Sequence, residues 1–283
     1  TDLYYQLLGV VDGVGSNLPQ VRNLNHAVFD ARHAHGAVYA RISPNVPEPD
    51  KSCKEVAEAA ETCNVPVVPY IVRPRSANGP DLRAELGIPQ NATVFGRHGG
   101  YTTFNNKMVM DVIKTLSEQR HDIFFVFMNT VRSKYFGHPI RPNIMFLNKT
   151  VDEEQKSRFI RTCDAMIHAR IQGETFGLAV AEFSAHNRPV FTSFRTSYKD
   201  PKKARMHLDL LGRRAFQYWG PRNLTRQLLA FNRTDAATRD WNAYREFEPE
   251  PVMQIFKRVF LTCHRRADRE AKPRQGVGKW ERS

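Results

Sequence analysis

The sequence predicts an α/β fold built on a parallel sheet with helices on both faces, and three observations carry that reading. From about residue 92 onward, short apolar, β-rich runs alternate with amphipathic stretches of helical period. A hydrophobic fraction of 41% and an aromatic fraction of 11% support a packed core and exclude a mainly disordered chain. The 283 residues suffice for one large or two modest domains.

Taken in order, strands are expected at residues 3–10, 23–29, 37–42 and 65–72, with a helix at 52–62. This is too little for a full doubly wound domain. Residues 73–80, rich in Pro, Gly, Ser and Asn, read as a linker, and 81–86 open the next unit. Strands then follow at 93–96, 123–128, 144–147, 165–168 and 189–192. Helices fill the gaps at 107–119, 152–161, 177–186, 224–231 and 251–262, the second opening with acids where a helix N-terminus favours negative charge. The expected organisation is a partial N-terminal lobe over 1–75, a nucleotide-binding α/β domain over 76–250, and a helix with a basic tail over 251–283.

The longest apolar run, 123–128, is far too short to cross a bilayer, so a soluble chain without a transmembrane segment is expected. No signal-like segment opens it, and a start at Thr1 reads as a processed end or a domain boundary. Cys53, Cys63, Cys163 and Cys263 lack C-x-x-C spacing, which argues against a zinc site. Buried thiols in a reducing, cytoplasmic setting are the expectation, with a Cys53–Cys63 bridge as the alternative. N-x-S/T triplets begin at Asn91, Asn148, Asn223 and Asn232, a pattern common by chance.

Lys and Arg outnumber Asp and Glu by 42 to 29, a net charge of +13 that favours acidic partners. Much of the excess lies in Lys257, Arg258, Arg265, Arg266, Arg269, Lys272, Arg274 and Lys279. With Pro273, Gly276 and Gly278 nearby, this end reads as a loosely ordered tail able to touch an anionic surface.

The sharpest chemical signal is the segment Gly173-Glu174-Thr175-Phe176-Gly177-Leu178-Ala179-Val180-Ala181-Glu182. A small-residue turn leads into a helix, whose unpaired N–H groups near Phe176, Gly177 and Leu178 form a seat for phosphate. Glu174 lies beside that seat, and Glu182 lies roughly 9 Å along the helix at about 1.5 Å per residue. Two carboxylates so placed suit the hydroxyls at either end of an extended ligand and not the facing pair of a glycoside hydrolase. The bland alternative is a glutamate complementing the helix dipole and a second one facing solvent.

A second segment, Val94-Phe95-Gly96-Arg97-His98-Gly99-Gly100, runs from a strand into a glycine turn. Glycines permit close backbone approach, and Arg97 offers a planar fork for phosphate oxygens. The absence of G-x-G-x-x-G spacing counts against a dinucleotide-binding dehydrogenase. Gly99-Gly100 reads equally well as an ordinary turn. His168 closes the strand before the glutamate motif, either lining the carboxyl-edge cleft or sitting satisfied in the core.

The Glu174–Glu182 segment resembles the E-x7-E signature of retaining GT-B glycosyltransferases of the family 4 type. Residues 163–169 are similar to the strand before that motif, and Asn187-Arg188-Pro189-Val190 to the small turn after it. The likeness extends over about 65–261 and is strongest over 95–192. It implies a GT-B fold with a complete Rossmann-like C-terminal domain and a short or truncated N-terminal α/β lobe. It also implies hexosyl transfer, with retention and without metal or other cofactor, from a nucleoside diphosphate sugar to a glycan, lipid or protein-linked acceptor.

By the same resemblance Arg97, in the Gly96-Arg97 pair, contacts the donor diphosphate, Glu174 the sugar and Glu182 the ribose. Lys149, in Phe146-Leu147-Asn148-Lys149, frames the base or is simply solvated. His26, in Asn25-His26-Ala27-Val28-Phe29-Asp30, resembles the histidine that faces the donor sugar. A departure lies after the Gly-Arg pair: Phe104 and Asn105 stand where the family carries a Lys, and Lys107 comes late. Competing readings are a non-catalytic nucleotide-sugar-binding module, a phosphorylase or epimerase of the same architecture, and a basic nucleic-acid-binding protein.

Overall fold

The structure is a computed structural model that describes residues 3–9, 16–47, 65–136, 140–194 and 204–262. The expected helix at 52–62, Cys53, Cys63, Cys263 and the basic residues from Arg265 onward lie outside the described residues. The chain divides into two compact units.

The first unit holds three parallel strands, β1 (Leu3–Leu8), β2 (Arg22–Ala27) and β3 (Val38–Arg41), in the order β1-β2-β3. Leu24, Ala40, Val68 and Phe260 are buried together, with Ile255, Phe256 and Val259 packed against them. The strand expected at 65–72 does not form. Arg41 donates to the Pro66 carbonyl and accepts from Val68, which makes a single bridge. Pro66 carries no N–H, so the ladder to β3 cannot extend on that side of the bridge. The helix expected at 251–262 is two pieces, α-helical over Pro249–Phe256 and a wider π-type coil over Lys257–Thr262.

The second unit carries six parallel strands, β4 (Thr93–Arg97), β5 (Ile123–Phe127), β6 (Ile144–Phe146), β7 (Ala165–Ile167), β8 (Val190–Ser193) and β9 (Ala215–Tyr218). The helices between them are α1 (Lys107–Gln119), α2 (Glu153–Thr162), α3 (Leu178–Ala185) and α4 (Met206–Leu211), with α5 (Pro221–Ala230) and α6 (Arg233–Ala237) following β9. Sheet order is β6-β5-β4-β7-β8-β9. Chain order therefore reverses between β4 and β7, and in open α/β sheets ligands bind beyond the carboxyl ends of the strands at such a point.

Local chemistry sets the helix starts. The Asn106 side chain caps α1 by accepting from the Val109 N–H, and Asp152 caps α2 by accepting from Gln155 at 2.7 Å. Helix α5 begins at Pro221, three residues before the predicted start at 224, because proline's missing N–H is harmless in a first turn. Periodicity did not reveal β9 and α4: four and six residues are too few to establish a period.

Phe95, Phe125, Phe127, Ile113, Leu116, Phe191 and Tyr218 form the centre of this unit's core. Gly96 is required by packing. A Cβ there would fall 2.0 Å from the Cys163 Sγ, so β4 meets the end of α2 at a distance only glycine allows. Burial pushes the Cys163 thiol above its ordinary range, leaving it a neutral core group.

Candidate functional site

The carboxyl end of β4 runs into the glycine turn, and Arg97 holds that turn in shape. Its buried guanidinium donates to the Gly100 carbonyl at 2.9 Å, to Thr103 Oγ1 at 2.6 Å and to the Asn129 carbonyl at 3.3 Å, with Thr130 Oγ1 as a further acceptor. Burial lowers its pKa to about 10, while the charge of Glu174 acts in the opposite direction. The fork expected to face a diphosphate is thus occupied by the loop after β4 and the loop after β5.

Gly99 adopts φ +147°, and a Cβ there would sit 3.2 Å from Arg97 Nη2 and 3.5 Å from the Ala179 Cβ. The glycine turn therefore lies against the first turn of α3. That helix starts at Leu178, one residue later than predicted, because Gly177 takes a left-handed conformation (φ +83°, ψ 59°) and serves as its N-cap without a side-chain bond. A Cβ on Gly177 would lie 3.2 Å from the Cβ of Glu174 and 3.3 Å from that of His207. Leu178, Ala179 and Val180 supply the first-turn N–H groups, and Leu178 is 40% exposed. Phe176, expected among the phosphate-binding positions, is buried against Tyr70, Tyr244 and Phe247, and its carbonyl accepts from the Tyr244 hydroxyl at 3.2 Å. Thr175 sits half-buried in the turn.

Glu174 and Glu182 are each held by two nitrogen-bearing side chains. Glu174 Oε2 accepts from Arg170 at 2.7 Å, and its Oε1 lies 3.2 Å from His168 Nε2. Burial raises the Glu174 pKa, but the His168 hydrogen bond and the charges of His168, Arg170 and His207 outweigh it and hold the group at about 2. Glu182 Oε1 accepts from Lys156 at 3.0 Å, and Oε2 lies 3.0 Å from His98 Nε2. Burial again pushes upward, and His98, then Lys156, bring this carboxyl down to about 2. Both glutamates are ionised at neutral pH although largely enclosed.

His168 has no free ring nitrogen. Nδ1 lies 3.0 Å from Thr192 Oγ1 and Nε2 faces Glu174, so the ring orients that carboxylate; the Tyr218 hydroxyl donates to the His168 carbonyl at 2.8 Å. The His207 ring centroid is 4.9 Å from that of His168, and burial lowers the His207 pKa to about 3. Sequence reasoning missed Arg170, His207, Lys156 and His98. Only Arg170, four residues before Glu174, left a local signal.

Lys149 is exposed at the carboxyl edge of β6, its Nζ 5.8 Å from the ring centroid of Tyr101, which is 50% exposed. His26 lies in the first unit. Its Nδ1 is 2.8 Å from the Tyr5 hydroxyl and its Nε2 2.7 Å from the Val68 carbonyl, and burial lowers its pKa to about 4. The histidine expected to face a donor sugar thus has both ring nitrogens committed to that unit's core. Among the described residues no group of three His, Cys, Asp or Glu could hold a metal ion, and no helix is long and apolar enough to cross a membrane.

No family model and no curated protein matches the sequence. Solved structures do match in shape. The chain is similar to TarM with a TM-score of 0.55 at 12% identity, over 88% of this chain and 52% of that one. A glycosyltransferase from Rickettsia africae ESF-5 gives 0.54 at 13%, over 80% and 64%. WaaG, a glycosyltransferase involved in lipopolysaccharide biosynthesis, gives 0.50 at 15%, over 69% and 56%. The chain thus spans between about half and two thirds of the length of these structures, and its fold, with parallel sheets in both units, is that of the GT-B glycosyltransferases.

Proposed function

We propose that the six-stranded unit binds a nucleoside diphosphate sugar and that the chain belongs to an enzyme transferring that sugar to an acceptor hydroxyl. The observation that carries this reading is the pair of enclosed, ionised carboxylates, Glu174 and Glu182, flanking an uncapped helix start that abuts a glycine turn. An anionic diphosphate suits the first-turn N–H groups of α3, and hydroxyl-bearing rings on either side of it suit the carboxylates.

In this reading Glu174, oriented by His168 and Arg170, holds the sugar, and Glu182 holds the nucleotide ribose. As the glycosidic bond breaks, charge grows on the leaving diphosphate. The N–H groups of Leu178, Ala179 and Val180 are fixed in place beforehand and stabilise that charge more in the transition state than in the ground state. Arg97 contributes by fixing the glycine turn and by its own positive charge close to Glu174. The family resemblance adds retention, an acceptor on a glycan, lipid or protein, and a reaction needing no metal or other cofactor. We keep His26 outside the mechanism, since its ring nitrogens are both used by Tyr5 and Val68.

The test is thermal unfolding of the wild type and Glu174→Gln against a panel of nucleoside diphosphate sugars. A ligand at about 100 times its dissociation constant adds roughly 2.7 kcal/mol of stability. Selective stabilisation of the wild type by one nucleotide family, reduced in the variant, is the expected result. A cooperative melt that no nucleotide sugar shifts would overturn the reading.

A further inference from the structure

Glu182 and Ala179 are three residues apart on α3 and so share a face. Ala179 meets the glycine turn at Gly99, and Glu182 meets His98, the residue before it. That places the Glu182 carboxylate beside the proposed diphosphate seat, on the side where β4 and α2 converge.

A carboxylate offers about four lone-pair directions. Oε1 accepts from Lys156 at 3.0 Å, and Oε2 lies 3.0 Å from His98 Nε2, an ion-pair contact that lacks hydrogen-bond alignment. Each oxygen thus keeps at least one direction for a further donor, the pattern that a vicinal diol with two O–H donors matches. Neither partner is a casual surface contact. His98 is 4% exposed and stacked on Phe183 with ring centroids 5.6 Å apart; the Lys156 side chain is 16% exposed and also pairs with Glu153. The ring stack fixes the imidazole, and the second acid fixes the ammonium, so the carboxylate between them has one orientation.

We infer that Lys156 and His98 are positioning residues for the nucleotide ribose, presenting Glu182 so that one lone-pair direction on each oxygen meets the 2′ and 3′ hydroxyls. The inference rests on the donor-site reading above. Lys156 acts through Glu182, not on the ligand, so its removal should erode discrimination between ribose and its dideoxy analogue while leaving diphosphate recognition intact.

The experiment is isothermal titration of UDP, GDP and ADP, their 2′,3′-dideoxy counterparts and inorganic pyrophosphate into wild type, Lys156→Met, Lys156→Arg and His98→Phe, each first shown to melt cooperatively. The wild type is expected to favour the ribose form of its preferred nucleotide by about tenfold or more, a ratio worth ~1.4 kcal/mol per factor of ten. Lys156→Met and His98→Phe should each cut that preference to about two- to threefold without weakening pyrophosphate binding, and Lys156→Arg should restore most of it. Equal loss of ribose, dideoxy and pyrophosphate binding, or wild-type preference retained in Lys156→Met, overturns the inference and leaves the donor site standing. Wild type that binds none of the three nucleotides overturns the donor-site reading, and the inference falls with it.

Discussion

The carboxyl ends of the strands in the two sheets treat enclosed ionisable side chains in opposite ways. Near the end of β2, His26 is sealed between Tyr5, Val68 and Phe260 and loses its proton, burial carrying its pKa down to about 4. Beyond β4 and β7, Glu174 and Glu182 keep their charge, because His168, Arg170, His98 and Lys156 outweigh the same burial effect. Enclosure alone therefore does not mark a site. What separates the two regions is remaining capacity: each ring nitrogen of His26 has a partner, whereas a doubly contacted carboxylate can still accept from a ligand.

The largest expected effect removes the scaffold under that contrast. Gly96→Val puts side-chain atoms where the Cys163 Sγ already lies, and overpacking of this kind destabilises by ~3 kcal/mol or more. Urea unfolding should show a large fall in midpoint, and a midpoint near wild type would mean that β4 and α2 separate easily.

The next effect tests the neutral side of the comparison. The folded His26 pKa of about 4 lies below the ordinary histidine value of 6.5, so between these values the unfolded state binds more protons. Stability is then full above pH 6.5 and falls as the pH drops toward 4, by at most about 3 kcal/mol for a shift of this size. His186 and His207, lowered by burial to about 4 and about 3, act with the same sign. Glu174 and Glu182 contribute in a lower window, since stability held above their ordinary value of 4.5 is lost only as pH falls toward 2. His26→Phe should flatten, without abolishing, the loss seen in urea melts between about pH 7 and pH 4.5. An unchanged slope would show that His26 is not buried neutral.

Glu182→Ala sharpens the charged side. It should weaken binding of the preferred nucleoside diphosphate by about tenfold or more, close to 1.4 kcal/mol, while Tyr5→Phe in the other sheet leaves that affinity untouched. Titration calorimetry on both variants decides whether the two regions divide labour as described. The smallest effect belongs to Lys149→Ala. An exposed lysine over one tyrosine ring contributes about 0.5 kcal/mol, so stability should barely move, and a nucleotide affinity lowered beyond about threefold would give Lys149 a larger part at the base.

Much of the second unit was legible because its signals are local. The apolar runs at β4, β5 and β8 and the 3.6-residue period of α1 each lie within one element, and helix α1 matches its predicted span. The unread parts had either too little length, as in β9 and α4, or a local rule that defeated the pattern, as where Pro66 removes a donor from an apolar run.

At the candidate site the sequence by itself determined where the two glutamates fall relative to a helix start and a glycine turn, since spacing along a helix is a property of the chain. Tertiary structure alone decided what each group meets. Arg97, read as a phosphate ligand, turned inward to hold Gly100 and Thr103, and Lys156, unremarked in the sequence, came to Glu182 from another helix. Partners of a buried charge are chosen by which elements the sheet order brings side by side, and strand order β6-β5-β4-β7-β8-β9 joins segments that no local period connects.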